Sequence, residues 1–422
     1  MSSSMANANN SRHDHWTLSS KQMTGLAKLQ RNLTLRLFIL LAMVPLTGAT
    51  IDIYVPSLPA ITAHFGVPAQ LVQWTIPSYL IGYSLAQLFC GALSDAWGRR
   101  ALLIMGIVLY TGASFLAASA SSISMLILMR FVQGLGVAAP GVLARAIASD
   151  SFDSERLPHI TNYITLAWAL GPIIAPLIGG YLQHVFDWKA IFYFLTAYGC
   201  IVLLLIYVLL PETNSYRHQL RPDTLLDQYK PILASPVFLG CALVLALIYG
   251  QLVLFNVVGP FLIQTVLGES PIVFGRVALS LGIAWFLGSL ANRILTETFP
   301  HFPLMEIATV VAFVGSTIMA WLAFESPLSL SNLVIPTAVV FMSGSITFTR
   351  CFSLSVRFFP KQAGTASALV GTLFIAGSAL AGFGASFLEA RTAIPLALSF
   401  VALTALTAIV QRTLKLSGHF TP

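Results

Sequence analysis

The chain is predicted to be an all-α membrane protein. Twelve transmembrane helices should form two pseudo-symmetric halves of six, with both termini cytoplasmic. Three observations carry this. Hydrophobic residues make up 57% of the 422 and charged residues only 9%, at a mean hydropathy of +0.83, whereas soluble domains carry about 25% charged residues. Apolar stretches of bilayer-crossing length, ~20 residues, recur twelve times along the sequence. Lys and Arg concentrate in alternate connections, the charge bias of cytoplasmic loops.

In chain order, residues 1–32 are polar and rich in Ser and Asn. They are too polar and too long before the first apolar run for a signal peptide, so they are read as a disordered cytoplasmic tail. The predicted spans are 33–57, 70–92, 101–119, 122–148, 159–183 and 189–210 in the N-terminal half, 33–210. In the C-terminal half, 236–413, they are 236–263, 272–296, 302–323, 329–352, 363–388 and 392–413. Spans three and four almost touch and form a tight hairpin. A cytoplasmic linker, 211–235, divides the halves, and 414–422 forms a second tail. With the N-terminus inside, only Lys189, Arg276 and Arg391 of the 22 basic residues lie outside, and Arg130 lies within a span. Gly91 and Gly288 occupy matching connections, as expected of a six-helix repeat with a site between its halves.

The same composition excludes other classes. The net charge of +7 is scattered between apolar segments instead of forming one face, which argues against nucleic-acid binding. Cys90, Cys200, Cys241 and Cys351 lie in apolar segments at unrelated spacings and read as small core residues. His13 and His15 read as solvated tail residues, and all eight histidines fall in tails, connections or helix ends. No nucleophile–base pair, metal set or nucleotide loop stands out, so neither an enzyme nor a cofactor is expected.

Two charges stand apart. Arg130 lies inside the apolar stretch 122–149, where a charge costs at least ~2.5 kcal/mol unless it finds a partner or a wet cavity. The alternative is an Arg that snorkels to the headgroups. Asp52 is the one acid clearly within a span. Arg130 is about 12 Å along its helix from Ser122, at ~1.5 Å per residue, which puts both charges at comparable depth. An acid that gains or loses a charged partner is a proton switch, because burial raises a carboxylate's pKa and a nearby Arg lowers it. Asp52 wetted by an outer vestibule is the alternative. For a pocket, Tyr54, Gln133, Trp168, Tyr249 and Asn256 are the expected cargo contacts. An aromatic cavity with few polar groups suits small amphipathic organic molecules.

The connection GALSDAWGRRALL at 91–103 is too polar and compact for a spacer. It reads as a gating latch of Gly91, Asp95, Gly98, Arg99 and Arg100. Asp95 should face a helix N-terminus or an Arg of the other half, while Arg99 and Arg100 meet carboxylates or lipid phosphates. The stretch resembles the G-x-L-a-D-r-x-G-r-k-x-x-l signature of the major facilitator superfamily, with Ala96 in place of the usual basic residue. WALGPIIAPLIGG at 168–180 resembles the antiporter signature of drug:proton exporters through Gly171, Pro176, Gly179 and Gly180. Its glycines should let the fifth helix approach the other half closely. VPSLPAI at 55–61, RFVQGLG at 130–136 and LPET at 210–213 are similar to the Bcr/CflA multidrug branch. The resemblance implies a monomeric, proton-coupled exporter of drug-like compounds in the inner membrane, working by rocker-switch alternating access and conferring antibiotic resistance. It also implies that Asp52 and Arg130 work together on the proton. A dedicated exporter or importer of one metabolite, such as a siderophore, is the alternative.

Overall fold

The computed structural model describes residues 20–214, 222–298, 303–388 and 390–416. Twelve of its helices are long and apolar enough to cross a membrane. They are α1 (Leu33–Phe65), α2 (Ala69–Trp97), α3 (Arg99–Ala118), α4 (Ile123–Ser151), α5 (Leu157–Val185) and α6 (Trp188–Leu209). Then follow α7 (Pro236–Val266), α8 (Pro271–Thr298), α9 (Leu304–Glu325), α10 (Leu330–Arg357), α11 (Ala363–Ala385) and α12 (Ile394–Lys415).

Two boundaries differ from expectation. The helix leading into α1 begins at Ser20, so residues 20–32, expected to be disordered, are helical. Gln, Met, Leu, Ala and Lys, all good helix formers, dominate that stretch. The expected tail at 1–19 lies outside the described residues. The linker also carries a helix, Pro222–Leu233. It docks through a hydrogen bond from the Tyr229 hydroxyl to the Leu88 carbonyl, 3.0 Å.

The packing follows the predicted duplication. In the first half α2 packs on α4, α1 on α5, and α3 on both α4 and α6. In the second, α8 packs on α10, α7 on α11, and α9 on both α10 and α12. Adding six to each label of the first set gives the second. The halves meet through α5 against α8 and α2 against α11, again a symmetric pair. Even the caps repeat. Ser122 accepts from the Met125 amide at the start of α4, and Ser329 from the Asn332 amide at the start of α10, both at 3.2 Å.

Proline interrupts the same place in each half. α1 loses α-helical form after Asp52, passes through a 3-10 turn at Val55–Ser57 and resumes to Phe65. α7 turns into a π-helix at Phe261–Val266, just past Pro260. A proline lacks the amide hydrogen that a continuous helix needs, and π-turns recur at functional positions. The predicted first span, 33–57, therefore stops at the break instead of the helix end.

Candidate functional site

The deep polar site is built on α4. Gly134 lies so near α2 that a Cβ there would collide with the Tyr79 carbonyl, and Gly82 meets the Phe131 carbonyl in return. This close crossing presses Arg130 between tyrosines. Its side chain is 0% exposed, which removes the snorkelling reading. The guanidinium carbon lies 4.7 Å from the Tyr54 ring centroid and 4.5 Å from that of Tyr79. Such desolvated cation–π contacts contribute about 2 kcal/mol. One nitrogen, Nη1, donates to the Gln133 amide oxygen and, at 3.5 Å, to the Thr50 carbonyl. Gln133 in turn donates to Ser114 Oγ at 2.8 Å. Arg130 Nε and Nη2 are buried without a hydrogen-bond partner.

Asp52 does not face Arg130, contrary to expectation. No ion pair joins them among the described residues. Comparable depth does not bring the two together, because orientation decides: residues two apart on an α-helix point ~200° apart. The Thr50 backbone turns toward Arg130, and Asp52 turns away, toward the second half. There Asn256 Nδ2 on α7 donates to Asp52 Oδ1 at 2.9 Å, with Asp52 6% and Asn256 7% exposed. The sequence carries a signal for this pairing in DIYVP at 52–56 and NVVGP at 256–260. The two polar residues occupy one position of the duplicated frame, four residues before the breaking proline, and touch across the interface.

The other expected cargo residues separate. Tyr54 and Gln133 belong to the Arg130 box. Tyr249 belongs to an aromatic wall of the second half, its ring 5.4 Å from Phe374 and 6.3 Å from Phe348. Phe348 also meets Phe374 at 5.4 Å and Trp285 at 5.5 Å. Phe348 and Phe374 were missed because a Phe in an apolar helix carries no distinguishing signal. Trp168 on α5 makes no described ring contact with either group. Among the described residues, no His, Cys, Asp and Glu cluster could hold a metal ion.

The candidate latch closes differently from expectation. Asp95 pairs with Arg99 of its own half, at 2.5 Å, and Arg99 Nε reaches Asp150 Oδ2 of α4 at 3.2 Å. Gly98, at φ +97°, admits the backbone conformation that starts α3 beside the Glu212 carboxylate. Glu212 accepts from the Arg99 and Arg100 amides at 2.9 and 3.3 Å. Arg100 Nη2 donates to the Tyr207 carbonyl at 2.6 Å. A Cβ on Gly91 would meet only open space.

The opposite end is joined across the halves. Gln73 donates to the Val257 carbonyl at 3.0 Å, Trp74 to Ser386 Oγ at 2.9 Å and Gln264 to the Pro56 carbonyl at 2.9 Å. On α5 the glycines that flank Pro172 and Pro176 divide. Gly180 abuts the Pro271 carbonyl of α8, as expected of a contact with the other half, but Gly171 and Gly179 pack on Ala49 and Ile53 of α1. Successive positions on one helix face different neighbours, so a single motif serves two interfaces.

The sequence profile of the Major Facilitator Superfamily matches residues 39–410. A bicyclomycin resistance protein homolog of Haemophilus influenzae is 27% identical over 361 residues, covering 85% of this chain and 89% of its own. Multidrug resistance protein D of Escherichia coli is 30% identical over 359 residues, covering 83% and 88%. Among solved structures, a peptide transporter in complex with sulfate superposes with a TM-score of 0.73 at 13% identity, covering 90% of this chain and 93% of that one. A D-xylose–proton symporter gives 0.68 at 15%, covering 88% and 95%. These proteins are transporters, not enzymes, and the twelve spans make this chain a multi-pass membrane protein. The chain belongs to the major facilitator superfamily.

Proposed function

We propose that this protein exports small amphipathic organic compounds, drugs among them, across the inner membrane in exchange for protons. The observation that carries the reading is the Asp52–Asn256 contact. The one acid that the sequence places at membrane depth bonds to the other half, at the end where the halves are joined. A proton bound there changes an interaction between the two bodies that must rock apart. Similarity to the bicyclomycin and multidrug resistance proteins supports drug efflux. The basic residues support an arginine-rich end in the cytoplasm.

In this cycle the described state is closed outside. Ionised Asp52 accepts from Asn256 and helps hold the outer end shut, while Asp95 and Arg99 keep to one half and leave the inner end free. Cargo enters from the cytoplasm against Tyr249, Phe348 and Phe374, and displaces the Asn256 contact. The outer end then parts. A proton from outside neutralises Asp52, the cargo leaves, the halves close again without cargo, and Asp52 releases the proton to the cytoplasm. Arg130 acts as a fixed buried charge that sets the field around Asp52, and Tyr54 and Gln133 hold it in place. Gly171, Pro176, Gly179 and Gly180 give α5 the close packing about which the rocking occurs.

The test is proton-driven uptake of a fluorescent lipophilic cation into sealed inside-out vesicles. Asp52→Asn keeps the shape and the hydrogen bonding but cannot titrate. It should abolish uptake driven by a pH gradient while leaving cargo binding by purified protein intact. Undiminished gradient-driven uptake would sink the reading.

A further inference from the structure

The arginine-rich end holds a second site that the transport cycle does not use. Arg36 on α1 and Arg100 at the start of α3 line one cavity of about 370 Å³, floored by Leu35, Leu209 and Pro211. The two arginines come from different helices and converge on the α1–α3–α6 corner. Neither forms an ion pair among the described residues. Arg99 next to them is committed to Asp95 and Asp150. Glu212, which touches the Arg100 amide, is spent on the amides of Arg99, Arg100, Thr213 and Asn214. Arg100 uses Nη2 on the Tyr207 carbonyl and lies 5.8 Å from that ring's centroid, which fixes its plane. Its Nε is buried with no hydrogen-bond partner.

We propose that this corner binds a phosphate group, and that the phosphate belongs to the headgroup of an anionic membrane lipid. Two guanidinium groups present fixed pairs of N–H donors, the geometry that phosphate oxygens accept. The cavity lies where three membrane-spanning helices reach their ends, at the depth of the headgroups. The adjoining surface is apolar and outward-facing: Phe38 is 57% exposed, Tyr207 64% and Val208 64%. Acyl chains can run down that surface while the phosphate caps the arginines. A free phosphate ion shares the recognition chemistry but gains nothing from it.

The test uses purified full-length protein in nanodiscs and in neutral detergent. Native mass spectrometry should show phosphatidylglycerol retained by the wild type in preference to phosphatidylcholine. Arg36→Gln should weaken that retention about fivefold, the effect of one basic residue at a membrane surface. Arg36→Lys, which keeps the charge, should recover most of it. Melting of both variants in phosphatidylcholine alone should match the wild type, showing that the fold is intact. Inorganic phosphate should fail to displace the lipid. Equal retention by Arg36→Gln overturns the site, and displacement by inorganic phosphate overturns the lipid as its occupant.

Discussion

The two halves share a frame and differ in what it carries. Eight residues past the matching caps Ser122 and Ser329 stand Arg130 and Thr337. Arg130 anchors a buried network of Tyr54, Tyr79, Gln133 and Ser114. Thr337 returns its hydroxyl to the Leu333 carbonyl of its own helix at 2.7 Å, and it touches Met319 sulfur. Around the second half's centre stand phenylalanines, with Tyr249 and Trp285. One half is thus built to hold charge and the other to present an apolar, polarisable wall. The duplicated position that meets its counterpart across the interface shows the same division, as an acid at 52 faces its amide analogue at 256. Duplication supplies a fold that can rock, and divergence of a few positions gives the two bodies separate tasks.

The largest break in this comparison is Arg130→Ala. It leaves Gln133 and two tyrosines without their shared partner, at a cost of about 2 kcal/mol or more in stability. Gradient-driven export should fall at least about tenfold, since a factor of ten is ~1.4 kcal/mol. Thr337→Ala, at the equivalent place, should change export less than about twofold, because its hydroxyl bonds its own helix and otherwise meets only the weakly accepting Met319 sulfur. Equal losses in the two variants would erase the distinction between the halves. Vesicle transport beside melting curves of the purified variants separates the effects.

The Asp52 and Asn256 pair sharpens the comparison further. Asp52→Asn alone should uncouple transport, whereas the double exchange Asp52→Asn with Asn256→Asp places the acid on the other side of the same 2.9 Å contact. If the titrating group must only lie between the halves, the double variant should recover a measurable part of the gradient-driven signal. Continued silence in the double variant, with both proteins folded, would show that the field of Arg130 also decides the acid's position.

Residue patterns differ in how much of this they reveal. The twelve spans were legible because each must be apolar over its whole length, and the halves because the linker interrupts that pattern. Arg130 was legible because a charge inside such a span demands an explanation. Its relation to Asp52 was not, since helix rotation rather than depth decides which side chains meet. The partners of Asp95 were also hidden. A latch motif names residues that can pair in several ways, and which pairing forms depends on the access state. Phe348 and Phe374 were the least legible, being chemically identical to the lipid-facing phenylalanines around them. Asn256 was legible as a cargo contact, and the repeat could have exposed its pairing with Asp52, because it stands four residues before Pro260 as Asp52 stands before Pro56.

The smallest expected effect lies in that aromatic wall. Phe348 is part-buried and meets Tyr249, Phe374 and Trp285 through its ring. Phe348→Ala removes ring contacts worth about 0.5–1.5 kcal/mol beyond their buried area. The half-saturating cargo concentration should therefore rise roughly two- to twelvefold, as 1.4 kcal/mol is a factor of ten. Its dependence on the pH gradient should be unchanged, because no group that titrates near neutrality is altered. Phe348→Leu should recover part of the affinity for aliphatic cargo and less for aromatic cargo. A shift in pH dependence on changing Phe348 would mean that the wall and the charged half are coupled through the empty site, and that the division of tasks holds only when cargo is bound.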